Sequence, residues 1–280
     1  MVVKDTLADI SVFAYLAARF GLGALPLMWI YRADLRKLSL PEMRAGLVLG
    51  IFMFGGYAFQ TAGIARTTPS KAAFITGFSV VLVPVLMAIV WRRRITAWAW
   101  VGAIASLGGL YFLTVPSQGI TDLNRGDLLV IGCAVLYAFQ IIYISRYSGE
   151  FSLGGLSFLQ VLVTAGLSLL AVPVLSATHW EPLRIHFTPA MIFGVLVTAL
   201  FTTAIAYPLL VWGQRHTSAT NTALILATEP VFAAVTSFIV LHERLGPRAL
   251  VGAGLILAGI LMGEVKASGQ IQACAVDADQ

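Results

Sequence analysis

The sequence predicts an all-α integral membrane protein built as an inverted repeat, and three observations carry that prediction. Of the 280 residues, 59% are hydrophobic and 11% charged, whereas a soluble globular domain carries about 25% charged residues. The charges gather in short clusters between long uncharged stretches, the pattern of a chain whose flanks are solvated by lipid. The chain also resembles itself at an offset of 150 residues, the mark of a duplicated unit.

A spanning helix needs about 20 mostly apolar residues. Nine segments qualify: 12–30, 44–65, 70–91, 96–114, 127–146, 153–175, 189–211, 218–241 and 247–264. Hydrocarbon admits only structures that satisfy their own backbone, so these segments are helices. The stops between them are legible. Arg32, Arg36, Lys37 and Pro41 end the first segment, Arg92, Arg93 and Arg94 the third, and Gly119, Asp122 and Asn124 form a polar turn after the fourth. The tail from 265 to 280 is polar and reads as disordered and cytoplasmic.

Several function classes drop out. The net charge of +5 is spread over interhelical loops, which excludes a nucleic-acid face and fits retention of Lys and Arg in the cytoplasm. Cys133 and Cys274 give neither a disulfide framework nor metal-ligand spacing. His179, His186, His216 and His242 are scattered, and no HExxH, P-loop or GxSxG occurs. No enzyme activity, cofactor or metal is expected. The expected partners are the bilayer and a small-molecule solute; a homodimer stays open.

Laying 71–110 on 221–260 without gaps matches 13 of 40 positions, among them Arg94/Arg244, Gly102/Gly252 and Gly109/Gly259. The expected repeats are 1–114, with four helices, and 126–264, with five. The helix at 127–146 would need a partner before residue 1, so the chain reads as lacking the first helix of its own repeat. A shortened start and a genuine nine-helix chain both stay open. Five helices per copy is an odd number, so the copies face opposite ways, as in alternating-access transporters. Placing the 31–44 loop in the cytoplasm puts the larger share of Lys and Arg there, with the C-terminus on the same side.

Ionisable groups at membrane depth cost about 2.5–3.5 kcal/mol on insertion scales and mark function by default. Arg19 lies mid-helix, either as a cavity cation for a solute carboxylate or as a structural brace. Glu229 lies midway along 218–241, either to titrate or bind an amine or to pair internally, with Arg19 as one partner. Pro230 beside it and Pro84 in 70–91 are candidate hinges. Tyr57 and Gln60, and likewise Tyr137 and Gln140, share a helix face at a spacing of three. With Tyr207 and Asn221 they complete the candidate substrate-binding set, neutral groups suited to zwitterionic or amphipathic solutes. Interhelical hydrogen bonding is the competing role. Gly46-x-x-x-Gly50 and Gly259-x-x-x-Gly263 read as close-packing faces. Tyr31, Trp98, Trp100 and Trp180 read as interfacial belt residues.

The order and spacing of several short motifs resemble the EamA-type exporters of the drug/metabolite transporter superfamily. They are Ala18-Arg19-Phe20, Thr217-Ser218-Ala219, Glu229-Pro230-Val231-Phe232-Ala233, Glu243-Arg244-Leu245 and Val251-Gly252-Ala253-Gly254-Leu255-Ile256. The resemblance runs from Val2 to about Val265. It implies ten helices in two inverted five-helix repeats, a central cavity, and export of amino acids, related metabolites or drugs across the cell (inner) membrane. A nucleotide-sugar or phosphate-sugar carrier is the alternative within transport, and a non-transporting membrane subunit the alternative outside it.

Overall fold

The structure, a computed structural model, describes the backbone of residues 2–115, 124–178, 181–241 and 246–278. The expected turn at Gly119 and Asp122, the belt residue Trp180, His179, His242 and the Glu243-Arg244-Leu245 motif lie outside these residues. In chain order the helices are α1 (Val2–Asp9), α2 (Val12–Ile30), α3 (Arg32–Leu35), α4 (Leu40–Ile64), α5 (Pro69–Gly77), α6 (Ser79–Ile89) and α7 (Ala97–Thr114). They continue as α8 (Arg125–Tyr147), α9 (Leu153–Ala177), α10 (Pro189–Ala199), a π-turn (Leu200–Ile205), α11 (Ala206–Gln214), α12 (Ala219–Leu226), α13 (Glu229–Leu241) and α14 (Pro247–Ala278). No strand occurs among the described residues; Ile10 and Ile185 form an isolated antiparallel bridge.

Among the described residues, seven helical stretches are long and apolar enough to cross a bilayer: Val12–Ile30, Leu40–Ile64, Ser70–Ile89, Ala97–Thr114, Arg125–Tyr147, Leu153–Ala177 and Pro189–Gln214. They coincide with the first seven expected segments. The eighth is interrupted between α12 and α13, and the ninth contributes a shorter apolar stretch, Pro247–Gly263, at the start of α14. The tail expected to be disordered continues α14 as helix through Ala278.

Contacts divide the chain into two compact units, each drawn from both halves of the sequence: 1–66 with 143–216, and 67–142 with 217–280. Compactness therefore does not follow the expected repeats 1–114 and 126–264. In the first unit α2 is the central element. Its Tyr15, Leu16, Phe20 and Leu27 are fully buried among Phe158 and Val161 of α9, Met191 and Val195 of α10, and Tyr207 of α11. Against α9 lies α4, where a Cβ built on Gly46 would collide with Leu159 Cβ and one on Gly50 would come 2.5 Å from Val163 Cβ. The expected packing role of this GxxxG is what the contact uses.

Both ends of that unit are closed by polar groups that satisfy helix termini. At one end Glu42 accepts from Ser152 N and Ser152 Oγ (3.1 and 2.5 Å), and Asp34 accepts from Gly154 N (3.2 Å). These are carboxylates at the N-terminus of α9, where orphan amides and the helix dipole favour negative charge. At the other end Val12 N donates to Glu181 Oε1 (2.7 Å) and Thr188 Oγ1 to Asp9 (2.6 Å).

In the second unit α7 and α14 cross on glycine. A Cβ on Gly102 would lie 2.5 Å from Gly259 O, and one on Gly109 2.5 Å from Gly252 O. Only hydrogen on Cα permits this approach. The α5/α6 and α12/α13 interruptions are built alike. Phe78 N donates to Ile75 O, and Val81 N and Leu82 N donate to Phe78 O; 150 residues on, Thr228 N donates to Ile225 O, and Val231 N and Phe232 N to Thr228 O. Both helices tighten to i→i−3 bonding at the same place. Both also start alike: Thr68 Oγ1 caps Lys71 N and Ser218 Oγ caps Asn221 N.

Candidate functional site: the Arg19 cluster

Arg19 lies midway along α2, between the apolar Ala18 and Phe20, and its side chain is only 5% exposed. Neutral groups of the first unit orient it. Its Nε donates to Thr203 Oγ1 (3.1 Å), and Nη2 donates to Thr202 Oγ1 (2.7 Å) and to Tyr57 Oη (3.4 Å). The guanidinium carbon sits 4.7 Å from the Tyr57 ring centroid and 5.0 Å from that of Phe20. Those two rings meet edge to face at 4.9 Å. Hydrogen bonds from a charged donor and ring faces both offset desolvation, the latter by up to about 2 kcal/mol when water is excluded. Tyr207 Oη donates to Tyr57 Oη (2.9 Å), so a second phenol joins the cluster. Tyr15 extends it, donating to Thr198 Oγ1 (3.2 Å) one turn before the threonine pair.

Three elements thus converge on the guanidinium: α2, α4, and the π-turn leading into α11. Close approach is possible because α2 carries Gly23, where a Cβ would lie 2.7 Å from Thr203 Cγ2. Of the sequence-derived set, Arg19, Tyr57 and Tyr207 come together. Gln60 lies one turn beyond Tyr57 on α4, half-buried. Thr198, Thr202, Thr203 and Phe20 were missed, because threonine in an apolar run signals nothing by itself.

The remaining expected residues fall in the second unit. Tyr137 and Gln140 are on α8, where Gln140 is buried and Tyr137 hydrogen-bonds the buried Cys133. Asn221 is in the first turn of α12, nearer a helix end than mid-span. Glu229 opens α13 and is exposed on that unit. Pro84 lies inside α6, beyond the interruption at Phe78. Pro230 sits in the first turn of α13, where its missing N–H removes no helical bond. The breaks in these two helices therefore lie at Phe78 and at Ala227–Thr228, ahead of both prolines.

The model of the EamA-like transporter family matches residues 1–115 and again 124–263. The chain belongs to this family. It is a multi-pass membrane transporter. Among its relatives is an uncharacterized transporter of Archaeoglobus fulgidus, 32% identical over 263 residues, covering 93% of this chain and 79% of the relative. The uncharacterized transporter YoaV of Bacillus subtilis is 20% identical, covering 93% and 89%. The threonine/homoserine exporter RhtA of Escherichia coli K12 is 25% identical over 249 residues, covering 86% and 78%. One solved crystal structure superposes with a TM-score of 0.79 at 16% identity, covering 96% of this chain and 92% of that one, a likeness of fold.

Proposed function

We propose that this family member exports small metabolites (amino acids, related amphipathic solutes or drugs) across the cell membrane by alternating access, and that the Arg19 cluster binds the solute's carboxylate. The observation that carries the reading is the convergence of α2, α4 and the π-turn on one oriented guanidinium at mid-span depth. An oriented guanidinium suits a carboxylate because its planar donors match two oxygens. The relative named as a threonine/homoserine exporter supports an amino-acid solute.

Nine spans in two inverted copies complete the proposal. Its support is a reciprocal contact: Gly102 meets Gly259 while Gly109 meets Gly252, and each pair becomes the other when the 150-residue offset is applied. Contacts that exchange in this way, in antiparallel order, belong to helices related by a two-fold axis perpendicular to them. In the first unit Tyr57 and Tyr207 are 150 residues apart and bond to each other, as residues beside such an axis do. The loop at 31–44 and the C-terminus are placed in the cytoplasm by the Lys and Arg bias. Tyr137, Gln140, Asn221 and Glu229 are retained as a second solute-contacting set, and the Phe78 and Thr228 breaks with Pro84 and Pro230 as the bending points.

Efflux of labelled amino acids and drugs from proteoliposomes, with and without a pH gradient, tests the reading. Arg19→Met is expected to lower affinity for carboxylate solutes on the order of tenfold to a hundredfold, the loss of a charge-assisted bond, while solutes without a carboxylate are little affected. A chain that moves nothing on the panel, or an Arg19→Met variant with unchanged carboxylate preference, would sink it.

A further inference from the structure

Consecutive threonines of the π-turn both reach Arg19, and their own protons are accounted for. Thr202 Oγ1 donates to Thr198 O (2.8 Å, four residues back), and Thr203 Oγ1 donates to the same oxygen (3.1 Å, five residues back). Each hydroxyl has one proton. With both protons committed to Thr198 O, both oxygens face Arg19 as acceptors, one on Nε and one on Nη2. Those two nitrogens form one edge of the guanidinium, so the pair fixes its plane as well as its position.

The local backbone makes this possible. In an α-helix adjacent side chains diverge by about 100°, which would carry one hydroxyl away. A turn widened from i→i−4 to i→i−5 lets both spacings end on one carbonyl. The widening has an origin in the duplication. The stretch Leu40–Ile64 has 25 residues and its counterpart Pro189–Gln214 has 26. Both follow a hydroxyl cap, Ser39 and Thr188, and Tyr57 and Tyr207 stand equally far from their ends. The extra residue therefore falls between cap and tyrosine, where the π-turn lies.

We propose that Thr202 and Thr203 form an acceptor clamp, created by a one-residue insertion in the second copy, that positions Arg19 and thereby sets the chain's selectivity for carboxylate-bearing solutes. The selectivity rests on the proposed role of Arg19; the clamp itself does not. Both threonines are positioning residues.

The test uses the full chain with L-threonine and L-threonine amide as probes, and hydroxyl deletion against hydroxyl retention. Thr202→Val and Thr203→Val are expected to raise KM for L-threonine about tenfold, with Vmax within about twofold and the amide's KM unchanged. Thr202→Ser and Thr203→Ser keep the oxygen and are expected to stay near wild type. Thermal unfolding of the purified protein supplies a readout independent of transport. Thr203→Val should lower Tm more in the wild-type background than in the Arg19→Met background, where the Arg19 bond is already gone and only the bond to Thr198 O is left to lose. Valine variants indistinguishable from wild type, serine variants as impaired as valine, or equal Tm losses in both backgrounds would overturn the clamp. If the Tm coupling is present but Arg19→Met leaves carboxylate preference intact, the clamp stands as a structural device and the proposed binding role falls.

Discussion

The two units differ in what their central helix contacts are made of. The first buries its polar side chains at mid-span, where Arg19, Thr198, Thr203, Gln160 and Thr164 are all at most 5% exposed. The second brings α7 and α14 together on glycine, backbone against backbone, with Ser106 beside the crossing. Polar groups at depth are expensive and must be oriented by partners, which makes them selective. Glycine crossings have no side chain to satisfy and gain close packing instead. If the Arg19 cluster binds the solute as proposed, substitutions there should change recognition, and substitutions at the α7/α14 crossing should change stability.

The largest effect should come from a buried charge network in the second unit. Asp127 is fully buried, accepts from Asn124 N (3.0 Å) and from Thr67 Oγ1, and pairs with Lys71 at 3.5 Å. Removing one partner of a buried pair costs about 3–5 kcal/mol, so Asp127→Ala should lower the Tm of detergent-purified protein by more than a substitution at a crossing glycine or a cluster phenol. Retention of wild-type Tm would mean the second unit does not depend on this network. Next comes the crossing itself. Gly109→Leu sets a side chain against Gly252 O and should cost about 1–3 kcal/mol as overpacking, without altering solute preference in whatever fraction folds. A shift in preference would show that the crossing also shapes the solute site.

Much of this was legible in the sequence. Apolar runs marked the first seven spans to within a few residues, and a charge stranded among apolar neighbours pointed to Arg19. The repeated Gly102/Gly252 and Gly109/Gly259 marked the duplication and Gly259-x-x-x-Gly263 a packing face, but not that the repeated glycines meet each other. What stayed hidden has physical causes. Proline marks where a helix can bend, but the interruptions formed at Phe78, next to Gly77, and at Ala227–Thr228, just ahead of Pro230, where i→i−3 bonding replaces i→i−4. The π-turn is equally silent, because Leu-Phe-Thr-Thr-Ala-Ile is an ordinary apolar helix in composition. Its trace is a single extra residue relative to the first copy, which a gapless offset passes over. The interleaving of the two halves into compact units is set by long-range packing, to which local periodicity is blind.

The smallest effect is the most informative about the first unit. Tyr57 and Tyr207 occupy corresponding positions in the two copies, but their hydroxyls are not equivalent: Tyr207 donates, and Tyr57 accepts from both Tyr207 and Arg19. Hydrogen bonds between membrane helices average about 0.6 kcal/mol in double-mutant cycles. Tyr207→Phe removes one such bond and should change Tm by little more than a degree or two, with KM for a carboxylate solute nearly unchanged. Tyr57→Phe removes the acceptor of two bonds, one of them charge-assisted, and should raise that KM about threefold to tenfold. The double variant should match Tyr57→Phe alone, because the Tyr207 bond is already lost with the Tyr57 oxygen. Additive losses would show that each phenol contacts the solute independently, and the asymmetry that Arg19 imposes on a near-symmetric pair would have to be abandoned.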